Sequence, residues 1–375
     1  MKPLHVLAWA FCFLFVTVPE ARAATDPAAI KTTVDTAAQA FRKANPQAAG
    51  MSVGVIEDGQ TFTFHYGTTE LGQTKTPTDK TLYPIASITK TFTGTLLAQA
   101  AMEGKLKLDD DIRHYLDGDY PNLEFDGRSI HIADLVDHRS GLPFFIPDRP
   151  ETQPVPGDTP WLTRIDTFEK TYSRADFYAD LHKVKLAGKP GDVVQYSNAA
   201  AMLAGYILEH IYGRSYEALV ERKILQPLGM TATAFKPTPG TMAKGYDGTG
   251  REMPGNSEVL AAAGGLKSDV TDMLKYAAWQ LAESDPAVKL SHQHYAESGN
   301  YAAGLNWQML TAPDKRVIWQ TGNIEGFHSY CILEPELKLA LVVMFNEGDD
   351  KSMPAHGVMV NQILQGLNPD AMLLP

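Results

Sequence analysis

Ser87-Ile88-Thr89-Lys90 sets a hydroxyl and an amine three residues apart at the front of a helical stretch, 87–103. Residues at that spacing share a helix face, so the amine is held beside the hydroxyl. A serine hydroxyl is a poor nucleophile until a neighbouring base takes its proton. Lysine serves as that base where desolvation or a nearby positive charge keeps it neutral. The pair therefore points to acyl transfer with Ser87 as nucleophile. Taken alone, the tetrad reads more simply as a helix start, with Ser87 capping and Lys90 in solvent.

Two further groups support the catalytic reading. Tyr196-Ser197-Asn198 follows a Lys189-Pro190-Gly191 turn and precedes a helix. A tyrosine held near a lysine can shuttle protons. Asn198, two residues on, can face the same cavity and hydrogen-bond a substrate amide. Tyr120-Pro121-Asn122 has the same spacing but no following helix, and reads as an ordinary surface turn. Gln320-Thr321-Gly322-Asn323 is expected to close a strand over 317–321. Gly322 would let the backbone approach a substrate closely. The Asn323 N–H could then join that of Ser87 as an oxyanion hole.

These groups need elements to hold them. An amphipathic helix is expected over 26–44, with Ile30, Val34, Ala38 and Phe41 on one stripe. Strands over 50–56 and 61–66 flank the hairpin turn Asp58-Gly59. A long middle region carries helices near 132–138, 174–186, 198–211 and 216–224, with Pro/Gly-rich loops, the loosest at 152–158. Gly264-Gly265 leads into a helix over 270–281. Strands return at 301–310, 317–321, 327–333 and 339–346, with a Glu334-Pro335-Glu336 turn, before a helix over 353–367. The pattern predicts an α+β fold: an antiparallel sheet flanked by helices, built from 24–104 plus 255–375, and a mostly helical domain over 105–254.

The 375 residues are 44% hydrophobic and 21% charged, an ordinary globular composition, with a formal net charge of -11. No basic block or basic-aromatic stripe is present, which argues against nucleic acid as a partner. Lys2, an apolar run over 4–18 and Ala21-Arg22-Ala23 read as a signal peptide over 1–23, too short for a spanning helix. Cleavage there would remove Cys12 and leave Cys331 alone, so no internal disulfide could form. Export without disulfides fits a bacterial periplasm. Cys331, in an alternating strand pattern, is expected to be a small core residue.

Ser87-x-x-Lys90, Tyr196-x-Asn198 and Gln320-Thr321-Gly322, in that order, resemble the class C β-lactamase and DD-peptidase family of penicillin-recognising serine hydrolases. The segments 132–143 (IADLVDHRSGLP), 189–203 (KPGDVVQYSNAAAML), 262–275 (AAGGLKSDVTDMLK) and 322–327 (GNIEGF) extend the likeness over about 28–367. The resemblance implies a cleft between an α/β domain and a helical domain, and a two-step reaction through an acyl-enzyme. Catalysis would fall to Ser87, Lys90 and Tyr196. Substrate binding would fall to Asn198, Gln320, Gly322 and Asn323, with no metal or cofactor. The family usually has Lys or His where this chain has Gln320, a position that typically binds a substrate carboxylate. A charged hydrogen bond of that kind contributes roughly 1.5–3 kcal/mol. Gln320 can donate but carries no charge, so an ester or a neutral amide is the expected substrate, including a peptidoglycan-type peptide. A true β-lactamase or DD-carboxypeptidase, and a non-catalytic cell-wall or partner-binding protein, are the alternatives.

Other patterns point to structure. Gly50-Met51-Ser52-Val53-Gly54 matches a nucleophile elbow in letters, but the run continues as strand, so Ser52 is a strand residue. His292-Gln293-His294 reads as a solvated loop rather than a metal site. Asp109-Asp110-Asp111 reads as a helix cap, and His328 as a strand residue facing outward.

Overall fold

The computed structural model describes residues 25–149, 171–238, 240–253 and 260–375. The leader expected over 1–23 and the loop at 152–158 lie outside the described residues. Eight strands form one antiparallel sheet: Gly50–Glu57 (β1), Gln60–Gly67 (β2), Ala296–Ser298 (β3), Tyr301–Ala303 (β4), Gln308–Ala312 (β5), Lys315–Ile324 (β6), Phe327–Glu334 (β7) and Leu339–Phe345 (β8). Their spatial order is β2-β1-β8-β7-β6-β5-β4-β3, so the early and late parts of the chain meet where β1 pairs with β8.

Strand alternation explains why the central strands are apolar throughout. In β8, Leu339, Leu341, Val343 and Phe345 enter one core, while Ala340, Val342 and Met344 enter the other. The first core lies under Pro27–Ala44 (α1) and the C-terminal helix Met353–Leu367, which supply Ile30, Val34, Phe41, Met359, Val360 and Ile363. The second lies under Thr89–Met102 (α2), Asn198–Tyr212 (α3) and Val270–Ala282 (α4). The C-terminal helix is α5. Full burial of one such aliphatic side chain contributes roughly 1.5–3 kcal/mol, which is why a sheet covered on both faces holds its strands rigidly. Helix starts follow local chemistry. Asp26 caps α1 ahead of Pro27, Ser197 caps α3 through the Ala200 N–H, and Gly213 closes α3 in the left-handed region at φ 62°.

Several expectations change. The strand expected over 301–310 is a hairpin, β4 and β5, joined by a tight turn in which Asn306 has φ 62°. Lys315–Ile324 runs straight through Gln320-Thr321-Gly322-Asn323, because β7 pairs along it as far as Ile324. The helix expected over 174–186 stops at Leu181, whose carbonyl, with that of Val184, accepts from Asn122. The turn expected at Tyr120-Pro121-Asn122 is present, with the Leu123 N–H donating to the Tyr120 carbonyl at 3.1 Å and Pro121 exposed, but the Tyr120 ring is buried, stacked on His182. His328 is buried on the α5 face, with Nδ1 3.1 Å from His356 Nδ1. His292 is buried against Glu283 at 2.7 Å, while His294 stays exposed. Asp111 caps Ile112–Tyr115 as expected, Ser52 is a buried β1 residue, and Cys331 is core, its thiol pushed up to about 12 by burial. Among the described residues no helix is long and apolar enough to cross a membrane.

Candidate active site

The nucleophile's environment begins one residue before it. Ala86 has φ 44°, a conformation that costs a non-glycine residue about 1–3 kcal/mol. It opens the short 3-10 turn Ala86–Ile88, which runs into α2. Ser87 thus stands in the turn that leads into a 14-residue helix, where the helix dipole favours negative charge. Beside it β6 extends past the end of β5, whose pairing stops at Gln308 with Trp319. The overhang brings Gly322 against Ile85. A Cβ on Gly322 would lie 2.5 Å from Ser329 Oγ and 2.9 Å from the Ile85 carbonyl carbon. Only glycine lets β6 approach the nucleophile's segment this closely.

Two functional groups bracket the Ser87 oxygen. Lys90 Nζ lies 3.0 Å away and the Tyr196 hydroxyl donates to Ser87 Oγ at 2.7 Å. The amine also sits 4.9 Å from the centre of the Tyr196 ring. Lys90 is fully buried, and its other contact is a 2.7 Å hydrogen bond to the Ala263 carbonyl. Among the described residues no carboxylate balances it, and burial holds the ammonium well below the ordinary lysine range. Burial pushes the Tyr196 phenol the opposite way, and its hydrogen bond with Ser87 offsets only part of this. Both shifts favour the neutral amine and the neutral phenol over their charged forms. That state suits Lys90 to accept a proton and Tyr196 to donate one.

The loops that present Tyr196 are fixed by polar contacts. Ser197 Oγ donates to the Pro143 carbonyl at 2.6 Å, and the Asn198 N–H donates to that of Phe144 at 2.9 Å. Asp137 and Arg139 pair at 2.6 Å, and Arg139 also reaches the carbonyls of Gly191 and Tyr295. Burial raises the Asp137 carboxyl to about 6 against the pull of Arg139. His138, at φ 63°, packs its ring on Tyr196 with 4.6 Å between centroids. Burial, reinforced by Lys90, lowers its imidazole to about 3.

The structure brings together Ser87, Lys90 and Tyr196, with Gly322 against Ile85 and Asn198 in the first turn of α3. Asn323 is exposed at the end of the β6 overhang. Gln320 does not join the cluster. Its side chain is 1% exposed and bonds within the protein. The Ala263 carbonyl, Asn306 and the strain at Ala86 carry no sequence signal, while His138 lies inside the 132–143 segment without standing out in it. Among the described residues no group of three or more His, Cys, Asp or Glu could hold a metal ion.

The beta-lactamase family model matches residues 34–362. The chain belongs to the beta-lactamase family. It is 26% identical to a beta-lactamase of Pseudomonas fluorescens over 358 residues, covering 83% of this chain and 93% of that one. It is also 26% identical to Protein flp of Staphylococcus aureus (strain N315) over 79% of this chain, and spans only 59% of that relative's length. Its fold is similar to the crystal structure of a beta-lactamase/D-alanine carboxypeptidase from Yersinia pestis complexed with citrate, with TM-score 0.77, 26% identity, and coverage of 92% of this chain and 99% of that one. A class C beta-lactamase matches at TM-score 0.76, 26% identity, covering 92% and 98%. These matches agree with the antiparallel sheet, flanking helices and mixed α+β content described above.

Proposed function

We propose that this β-lactamase-family serine hydrolase cleaves an uncharged ester or amide through an acyl-enzyme on Ser87. One observation carries the reading: the Ser87 oxygen lies between a buried amine at 3.0 Å and a phenol at 2.7 Å. Ser87 Oγ attacks the carbonyl carbon while its proton passes to the Lys90 lone pair. The tetrahedral oxyanion is held by the Ser87 and Asn323 N–H groups, a contribution of about 3–4 kcal/mol per donor. As the bond to the leaving group breaks, the proton on Lys90 reaches the departing oxygen or nitrogen through the Tyr196 hydroxyl. Water then attacks the acyl carbon, gives its proton back along the same path, and frees Ser87. Asn198 orients the acyl side of the substrate.

The likeness to a beta-lactamase and to a beta-lactamase/D-alanine carboxypeptidase favours a second reading, a true β-lactamase or DD-carboxypeptidase. The uncharged residue at 320 favours the first. Substrates on either reading are small molecules or peptidoglycan-type peptides. The leader over 1–23 supports export to a bacterial periplasm. Mass spectrometry after a fluorophosphonate, together with rates on a short-chain aryl ester and a chromogenic cephalosporin, tests the proposal. The expected result is an adduct on the Ser87 peptide and faster ester hydrolysis. A cephalosporin preference selects the second reading. Folded protein that takes no adduct is a binder, not a hydrolase.

A further inference from the structure

Resting on that reading, we infer that Gln320 is a positioning residue that fixes the general base relative to the oxyanion strand, and that it does not contact the substrate. Its amide is committed inside the protein. Nε2 donates to the Asn306 carbonyl at 3.0 Å. Oε1 accepts from the Thr321 N–H at 3.0 Å and from Gln308 Nε2 at 3.3 Å, which uses both acceptor positions. With 1% of the residue exposed and three of the amide's four hydrogen-bonding positions taken within the protein, the side chain has only one N–H uncommitted.

What it grips is itself a clamp. Asn306 is 1% exposed and held at φ 62°. Its Nδ2 donates to the Lys90 carbonyl at 2.8 Å, and its backbone N–H donates to the Val136 carbonyl at 2.5 Å. The residue before it, Leu305, lies so close to α2 that a Cβ on Gly94 would come within 2.7 Å of the Leu305 carbonyl carbon. The turn between β4 and β5 is thus wedged between the helix that carries Lys90 and the strand that carries Gly322 and Asn323. The chain of bonds runs from the Gln320 amide to the Asn306 carbonyl, then from the Asn306 side chain to the Lys90 carbonyl. It sets the spacing between base and oxyanion donors, which must hold to within about 1 Å for efficient catalysis. A residue used this way gives the enzyme no handle on a substrate carboxylate. Charged and neutral acyl groups are then not distinguished at position 320.

The test compares the parent with Gln320→Met, Gln320→Lys, Asn306→Gly and the Gln320→Met/Asn306→Gly pair. Each is assayed on 4-nitrophenyl butyrate and on 4-nitrophenyl hydrogen glutarate, which carries a free carboxylate. Glycine at 306 tolerates the positive φ and removes only the side-chain bond. Gln320→Met and Asn306→Gly are each expected to lower kcat about tenfold on both esters, with KM within about twofold. The pair is expected to lose no more than the worse single variant, because both substitutions open one clamp. Losses that multiply, or a KM change confined to the charged ester, overturn the inference. Gln320→Lys keeps a donor for the Asn306 carbonyl and also decides the matter if Gln320→Met fails to fold. No gain on the glutarate ester supports the inference, and a gain of about tenfold in kcat/KM over the butyrate overturns it. If the parent hydrolyses neither ester and takes no fluorophosphonate, the proposed function fails by itself. The clamp is then judged by urea unfolding of the same variants, where non-additive losses sustain it and additive losses overturn it.

Discussion

Replacing Gly322 by alanine adds one methyl group at the tightest point of the site, and its consequence can be worked out from the surroundings. The new Cβ would meet Ser329 Oγ at 2.5 Å and the Ile85 carbonyl carbon at 2.9 Å, with the carbonyl oxygen nearer still. Ordinary carbon contacts lie at about 3.5–4.0 Å, so β6 must retreat by about 1 Å. Neither neighbour yields easily. Ile85 is backbone two residues before Ser87, and the Ser329 hydroxyl is already bonded to the Ile85 carbonyl at 3.2 Å. Overpacking of this kind costs about 1–3 kcal/mol of stability. The retreat also carries the Asn323 N–H away from the oxyanion, and loss of one such donor lowers kcat by about 10²–10³. Gly54→Ala is the control. A Cβ there meets the side chains of Val270 and Leu274 at 2.8–2.9 Å, under α4 and on a strand that carries no catalytic group. It is expected to lower the melting temperature while leaving kcat per titrated active site unchanged. The assay is ester hydrolysis normalised to fluorophosphonate-titrated sites, with melting curves for both proteins. If Gly322→Ala keeps kcat within about threefold of the parent, the overhang is not the oxyanion strand and the reasoning is wrong.

Three other expectations follow from the same geometry. Tyr196→Phe removes the hydroxyl 2.7 Å from Ser87 but keeps the ring on His138, so kcat should fall by about 10²–10⁴ with little change in melting temperature. An unchanged kcat would assign the proton shuttle elsewhere. Because burial lowers the Lys90 amine below its usual range, kcat/KM should be full above that lowered pKa and decline as pH falls through it. A profile whose midpoint lies at or above the ordinary 10.5 contradicts a buried neutral base. Stability should change little between about pH 4.5 and 6.5, where buried groups oppose one another. His328, lowered to about 4 by burial, loses its contribution as pH falls from 6.5, and His356 shifts the same way. Glu334 and Glu347, both raised to about 7 by burial, contribute fully below 4.5 and lose that contribution as pH rises through 7. His138, lowered to about 3, loses its contribution over the whole fall from 6.5, and Asp137 and Asp269, raised to about 6, oppose it only down to their ordinary 3.8; below that the His138 loss continues unopposed and Glu283, lowered to about 2, adds to it, so the urea midpoint should drop there. A midpoint that stays level between pH 3.8 and 3 would show His138 and Glu283 to be solvated.

Much of the site was legible because its information is local. Ser87 and Lys90 are one helical turn apart, so their meeting is a property of the 3-10 turn and the start of α2 alone, and the Ser197 cap fixes where Tyr196 must stand. The hairpin at Asp58-Gly59 and α5 were equally plain, since turn chemistry and apolar period lie within a few residues. What escaped depends on residues distant in sequence. The amine's second partner is the Ala263 carbonyl, and a backbone oxygen leaves no trace in residue identity. Asn306 was hidden in a run, 301–310, whose composition reads as one strand; only in three dimensions does the run break to reach Val136 and Lys90. With the turn unseen, the direction taken by Gln320 could not follow. His328 and His292 were read from polarity alone, yet each is buried beside a titratable partner supplied by another segment.

The structure also contains an array that looks catalytic and is not, and the contrast isolates what makes Ser87 reactive. Ser52 Oγ is 3.0 Å from His65 Nδ1, and His65 Nε2 is 3.0 Å from Asp79 Oδ1. By these distances it is a serine-histidine-aspartate triad, in a segment with the letters of a nucleophile elbow. Ser52, however, is mid-strand and wholly buried, paired with Met344 on one side and His65 on the other. Its hydroxyl is also 3.0 Å from the Tyr83 hydroxyl, and no carbonyl carbon can approach it. A strand paired on both sides has its amides engaged in the ladder, so none is left to hold an oxyanion. Ser87 differs on each count. It is partly exposed, follows a strained residue, stands in the turn that leads into a helix, and faces a strand edge that outruns its neighbour. A polar relay can be built wherever three side chains meet. A nucleophile also needs free backbone donors and an open face, and of these two serines only Ser87 has them.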